Sequence, residues 1–223
     1  MNDTTPYPRW LADDAVWASQ DPWTGRLLTS PRAAGIVVAA AALGDLTHAR
    51  ALQPSAGHIT VTRRAPARFG NVATTPQPPV DALGTRILHQ IRHEPDLSTH
   101  EVIDGLAVDI RRRVTARMIR AGTARPRRRR LLWARQITAI AADPDRTITI
   151  APVAALYSGR PPEARDRFLL HLINASSLGT IALGHLRQTT ITRAIGPAAG
   201  VGPAYQPLLE AATDLLHDLA LAR

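Results

Sequence analysis

Eleven of the 27 arginines lie between Asp109 and Arg135, and that window holds a single acid, Asp109. Outside it, 16 arginines face 17 aspartates and glutamates, so the net charge of +9 comes from this one stretch. Guanidinium groups present planar N–H donors to phosphate and carboxylate oxygens, and so dense a cationic stretch points to an anionic polymer or surface. Arg127, Arg128, Arg129 and Arg130 are followed at once by Leu131, Leu132 and Trp133. Charge followed by apolar and aromatic side chains suits contact with an anionic membrane. Each Arg near such a surface contributes roughly 1 kcal/mol within a Debye length of ~8 Å. Each fully buried apolar side chain adds about 1.5–3 kcal/mol. Neither contribution alone gives useful affinity once ordering costs are subtracted, so their adjacency matters.

Two other readings of this segment stand beside the membrane one. The bland one is a solvated helix face and a charged turn. The other is nucleic acid: helix, turn, basic helix and hairpin is the order of a winged helix-turn-helix, with phosphates met by Arg111, Arg112, Arg113, Arg117 and Arg120. The basic helix lacks the Asn, Gln and Ser that accompany Arg at base edges. At 100° per residue, Arg113, Arg117 and Arg120 lie within about 60° of one another, a cluster able to hold one phosphate group. Arg117 falls almost on the apolar stripe, so it is half-buried or paired, with an internal salt bridge as the alternative to a phosphate.

Other constellations offer little chemistry. His89 and His93 have helical metal-ligand spacing, and His100-Glu101 follows, but no third ligand is set by the sequence and no metal is expected. Gly196, Gly200 and Gly202 lack the preceding strand and following lysine of a phosphate loop. Asp13 and Asp14 point about 100° apart on a helix, so helix-start electrostatics accounts for them. Cysteine is absent, which excludes thiol catalysis and disulfides. We expect no enzyme and no cofactor.

The elements that must position these groups are mostly helices. Alanine is abundant and aromatics are scarce, at 4%. Trp10 to Gln20 reads as a short helix and Asp21 to Gly25 as a turn. Ser30-Pro31 starts a long, nearly all-apolar helix predicted to run through Leu52 as the buried centre of the fold. His58 to Thr62 alternates like a strand, and residues 65–79, with four prolines, form a loop. A helix follows over Val80 to Arg92, and Ser98 and Glu101 have capping-box spacing at the start of another. Leu106, Ile110, Val114 and Met118 then mark one helix that Gly122 ends. Thr123 to Thr138 reads as a hairpin with the arginine run at or near its tip, and late helices are predicted around 163–176 and 204–221. The expectation is a single mainly α domain over 1–223 around a central bundle, with a short strand and a basic and apolar β-hairpin. The longest apolar run, Ala33 to Leu43, is short of the ~20 residues that span a bilayer, so the expected location is cytoplasmic.

Several stretches together resemble the Golgi phosphoprotein family. LADDAVWASQDPWTGR resembles its opening helix with two acids and the turn that follows. SPRAAGIVVAAAALGDL resembles its central helix, VDALGTRIL a short later helix, IRRRVTARMIRAG its basic helix ending in glycine, and FLLHLINASSLGTIAL a late apolar helix. The lack of Lys and abundance of Ala and Arg suit a high-GC bacterial member. The resemblance implies a mainly helical peripheral protein at the inner face of the membrane that binds phosphatidylinositol 4-phosphate, with the hairpin dipping into the bilayer. It also implies protein cargo or adaptor partners. In the family's eukaryotic members a Trp and several Arg meet the headgroup. Ser30 stands at the Trp position, Ala39 at one Arg position, and the two basic-helix arginines fall on Arg111 and Val108. Arg32 supplies a substitute cation nearby. The expected headgroup set is therefore Arg111, Arg32, Arg113, Arg117 and Arg120. The expected membrane-contacting hairpin runs from Arg127 to Trp133. Nucleic acid remains the alternative partner, and self-association through the late apolar helices is a third possibility.

Overall fold

The computed structural model describes residues 10–55, 57–62, 80–131, 134–141, 150, 152–153, 158–176, 178, 196 and 198–222. Helix α2 (Pro31–His48) is the axis. The Ser30 hydroxyl accepts the Ala33 N–H at 3.1 Å, and Pro31 sits in the first turn, where its missing N–H costs nothing. Every residue from Ala33 to Thr47 is buried. Its small side chains let neighbours come close. Gly35 lies against the Ala107 carbonyl with no room for a Cβ, and Gly44 lies against the Phe168 ring.

Helix α1 (Leu11–Ala18) packs along α2, and their polar meeting point sets the direction. Trp10 makes no side-chain cap, so the first N–H groups of α1 need an outside acceptor. Asp45, near the far end of α2, supplies it: its carboxylate accepts the N–H of Leu11 at 2.8 Å and of Ala12 at 3.1 Å. The two helices are therefore antiparallel.

The long helix stops earlier than its apolar run predicts. Arg50 takes a left-handed backbone (φ 51°), the Ala51 N–H returns to the Leu46 carbonyl at 2.9 Å, and Leu52 opens a strand. Strand β1 (Leu52–Ser55) pairs antiparallel with β2 (His58–Val61), the strand expected from its alternation. Helix α3 (Ala82–His93) follows, its start capped by the Asp81 carboxylate on Gly84 N–H at 2.7 Å. Residues 65–79 lie outside the described residues.

The predicted continuous stripe from Leu106 to Met118 is two helices. The capping box of Ser98 and Glu101 opens α4 (Thr99–Ala107) as expected. The chain then breaks at Asp109 (φ −135°, ψ −5°) before α5 (Ile110–Arg120). Leu106, Ile110, Val114 and Met118 are all buried, because both helices turn that face into one core. Gly122 (φ 72°) ends α5, with Thr123 N–H returning to the Met118 carbonyl at 3.1 Å.

Strand β3 (Ala124–Leu131) then pairs antiparallel with β4 (Ala134–Ala141), in register from Ala124 opposite Ala141 to Leu131 opposite Ala134. Helices α6 (Ala164–Ala175) and α7 (Gln206–Leu221) close the bundle, α6 burying Phe168, Leu169, Leu170, Leu172 and Ile173 and α7 burying Leu208, Leu209, Ala212, Leu215 and Leu216. The fold is mainly α, with two small antiparallel strand pairs among the described residues. Among the described residues no helix is long and apolar enough to cross a membrane.

Candidate anion-binding pole

The directions of the helices bring one set of ends together. Helix α1 runs from the level of Asp45 toward the end of the bundle where α2 begins. Asp104 pairs with Arg32 and Ala107 lies on Gly35, so α4 also ends there. Helix α5 therefore begins at this pole, and the contact of Arg111 with Gln20 fits: its Nη1 donates to Gln20 Oε1 at 3.4 Å. Gln20 is fully buried and its Nε2 donates to the Ala139 carbonyl at 2.8 Å, which ties α5 to β4. Sequence reasoning missed Gln20, since nothing in its neighbourhood signals a contact 119 residues away.

Arg111 is half-buried, and burial pushes its pKa below the ordinary arginine value. Among the described residues no carboxylate pairs with it. A partly desolvated guanidinium held by one long neutral hydrogen bond keeps donors for an incoming anion.

The other predicted cations divide sharply. Arg113 is held by Asp109, through Nε at 2.8 Å and Nη2 at 2.7 Å. Arg112 is 80% exposed and 3.5 Å from the same carboxylate. Arg32 is engaged by Asp104. Arg120 is exposed at the opposite end of α5. Arg117 is buried, with Nη2 2.6 Å from Asp13 and Nη1 2.9 Å from Asp81, and its guanidinium stacks 4.9 Å over the Trp10 ring. Burial pulls its pKa down, but the two carboxylates outweigh that and the net direction is upward. A headgroup would have to displace the buried Asp13 carboxylate and the partly exposed Asp81 carboxylate to reach it. The cluster of Arg113, Arg117 and Arg120 does not form one phosphate site, and the internal salt bridge is what Arg117 makes. Asp13 accordingly serves as an ion partner, which helix-start electrostatics alone did not foresee.

The turn after α1 docks on the hairpin. The Asp21 carboxylate accepts the N–H groups of Thr24 at 2.6 Å and Trp23 at 3.0 Å and the Thr24 hydroxyl at 2.8 Å. These bonds, the Thr24 N–H foremost, hold its pKa below the usual carboxylate value. Gly25 (φ 65°) lies against Thr138, where a Cβ would come within 2.5 Å of Oγ1. Ala141 N–H donates to the Pro22 carbonyl at 2.8 Å, and Arg127 Nη1 donates to the Trp23 carbonyl at 3.1 Å. Thus Arg127 and the partly exposed Trp23 share one edge of the hairpin. Arg128, Arg129, Arg130 and Leu131 continue β3 toward its tip by backbone register, with their side chains outside the description. Leu132 and Trp133 lie outside the described residues.

The histidine pair sits elsewhere. His89 and His93 stack at 4.0 Å on the exposed face of α3. Among the described residues no three His, Cys, Asp or Glu side chains converge as a metal-binding set.

The order of these elements, from the two-acid helix to the late apolar helix, is matched by the model of one family, Golgi phosphoprotein 3 (GPP34), over residues 11–214. The chain belongs to the Golgi phosphoprotein 3 family. The match starts at the first residue of α1 and reaches into α7, so it takes in α1 to α6 and the first half of α7. Neither the curated proteins nor the solved structures returned a match.

Proposed function

We propose that this Golgi phosphoprotein 3 family member is a peripheral membrane protein that binds phosphatidylinositol 4-phosphate or another anionic lipid headgroup. Arg111 is the central contact, Arg112 adds long-range attraction, and the Arg127–Trp133 hairpin reaches into the bilayer, while Arg120, at the far end of α5, stands away from the site. The protein does no catalysis in this reading and acts from the cytoplasmic face of a membrane. The observation that carries it is the half-buried Arg111 guanidinium with no carboxylate partner among the described residues, at the pole where α2 and α5 begin. A partly desolvated cation without an anion is less stable than a paired one, and a headgroup phosphate would supply the partner. The positive ends of two helix dipoles add to the attraction. Arg32 and Arg113 stand by, each already engaged by one carboxylate, and Arg117 is left out.

The test is co-sedimentation with phosphatidylcholine vesicles, with and without phosphatidylinositol 4-phosphate or phosphatidylserine, beside gel-shift with mixed duplex DNA. Binding to the anionic vesicles is expected, and Arg111→Ala should weaken it roughly ten-fold, the loss of one charge-assisted contact. DNA binding at physiological salt with no lipid preference would overturn the reading in favour of a winged-helix nucleic-acid binder.

A further inference from the structure

Among the described residues three large apolar side chains stand in solvent: Trp23 at 42%, Val108 at 77% and Leu221 at 73% exposure. Singly exposed apolar residues are ordinary on a protein surface. These three are set apart by their position, which α2 measures.

Trp23 follows Gln20 by three residues, and Gln20 touches Arg111. Val108 comes directly after Ala107, whose carbonyl lies on Gly35 in the second turn of α2. Helix α7 starts at the other end: Pro203 and Ala204 line a cleft with Thr47 and Arg50, and Tyr205 Oη lies 3.4 Å from His48 Nδ1. It then packs against α2, α4 and α6 through side chains buried from Leu208 to Leu216, and it continues to Leu221. At about 1.5 Å per residue this carries Leu221 some 23 Å, to the level of the first turns of α2. All three therefore stand at the pole where Arg111 and Arg112 stand. The opposite end, carrying the β1–β2 hairpin, has no such side chain among the described residues.

We propose that Trp23, Val108 and Leu221 enter the interfacial layer of an anionic bilayer around the Arg111 site, so that the whole pole rests on the membrane and not the hairpin alone. This rests on the lipid-binding reading above. Val108 is the clearest member. It is the most exposed of the three, and it joins α4 to a helix whose first turn carries Arg111, Arg112 and Arg113. Apolar side chains beside cations are what a charged headgroup layer over hydrocarbon accommodates. Trp23 brings an amphipathic ring to the same level, where indoles favour the headgroup region.

The chain has no cysteine, so one introduced thiol can be labelled uniquely. Trp23→Cys, Val108→Cys and Leu221→Cys would each carry an environment-sensitive fluorophore in the full chain, with Gln53→Cys at the opposite end as reference. With vesicles of phosphatidylcholine, phosphatidylserine and phosphatidylinositol 4-phosphate, labels at 23, 108 and 221 should shift to the blue and brighten severalfold, while the label at 53 stays unchanged. Val108→Ser and Leu221→Ser should each weaken vesicle binding about five-fold with an unchanged circular dichroism spectrum. Labels that stay unshifted on protein that co-sediments overturn this proposal and leave the lipid-binding reading standing. Failure to co-sediment overturns both.

Discussion

The guanidinium of Arg117 and the carboxylate of Asp13, 104 residues apart in the chain, meet at 2.6 Å with both side chains about nine-tenths buried. Asp81 closes the other side of the guanidinium at 2.9 Å, so one cation joins α1, α3 and α5. Its Nε is buried without a partner in this arrangement. Removing one member of a buried ion pair leaves the other charge stranded, which costs about 3–5 kcal/mol. Arg117→Met should therefore lower unfolding stability by that amount in urea denaturation. Where the variant is still folded, its vesicle binding should match that of the parent chain. A large binding loss in folded Arg117→Met would return Arg117 to the headgroup set.

Asp45 is the second buried charge with a structural task, and it titrates near neutrality. Burial pushes its carboxyl up to about 7, against the downward pull of the Leu11 and Ala12 N–H groups and of Arg165 and Arg117. Folded Asp45 therefore holds its proton more tightly than the unfolded chain, whose value is 3.8. Its contribution to stability is full below about pH 4, falls as pH rises toward 7 and is level above. His48 works the other way, since burial and then Arg165 lower its pKa and favour folding as pH rises through mild acid. The comparison that isolates Asp45 is parent chain against Asp45→Asn. The stability difference between them should fall by roughly 1 kcal/mol per pH unit between pH 5 and 7 and flatten above 8. A difference that is constant with pH would show that Asp45 stays ionised throughout.

What was legible in the sequence follows from what spacing encodes. The four-residue recurrence of Ile110, Val114 and Met118 marked the buried face of α5, and the angle of Arg117 on that face marked it as buried or paired. Its partners were not legible, because Asp13 and Asp81 come from other helices and spacing carries no distance between elements. The break at Asp109 was hidden for a related reason: Leu106 keeps the recurrence although it belongs to a different helix facing the same core. The end of α2 was overrun because an apolar run does not show where a backbone turns, and Arg50 turns it without glycine. At the candidate pole, the density of cations was plain from composition. Which of them are already engaged, by Asp109, Asp104, Asp13 and Asp81, required the fold.

Asp109 gives the sharpest test of how those engagements govern binding. It is the single acid in the basic stretch, it lies 2.7 Å from Arg113 and 3.5 Å from Arg112, and its side chain makes no cap on α5. Asp109→Asn removes one negative charge from the pole and releases two guanidiniums toward an anionic surface. The structural cost should be small, under about 1 kcal/mol, because the pair is partly exposed and an acid at a helix start contributes only modestly. One Arg near an anionic surface contributes roughly 1 kcal/mol, so binding to anionic vesicles should tighten about five-fold. The gain should shrink as salt shortens the reach of the released charges. Vesicle titrations at low and physiological ionic strength would measure both effects. Weaker binding by Asp109→Asn would mean that Asp109 orients Arg112 and Arg113 for the lipid and does not restrain them from it.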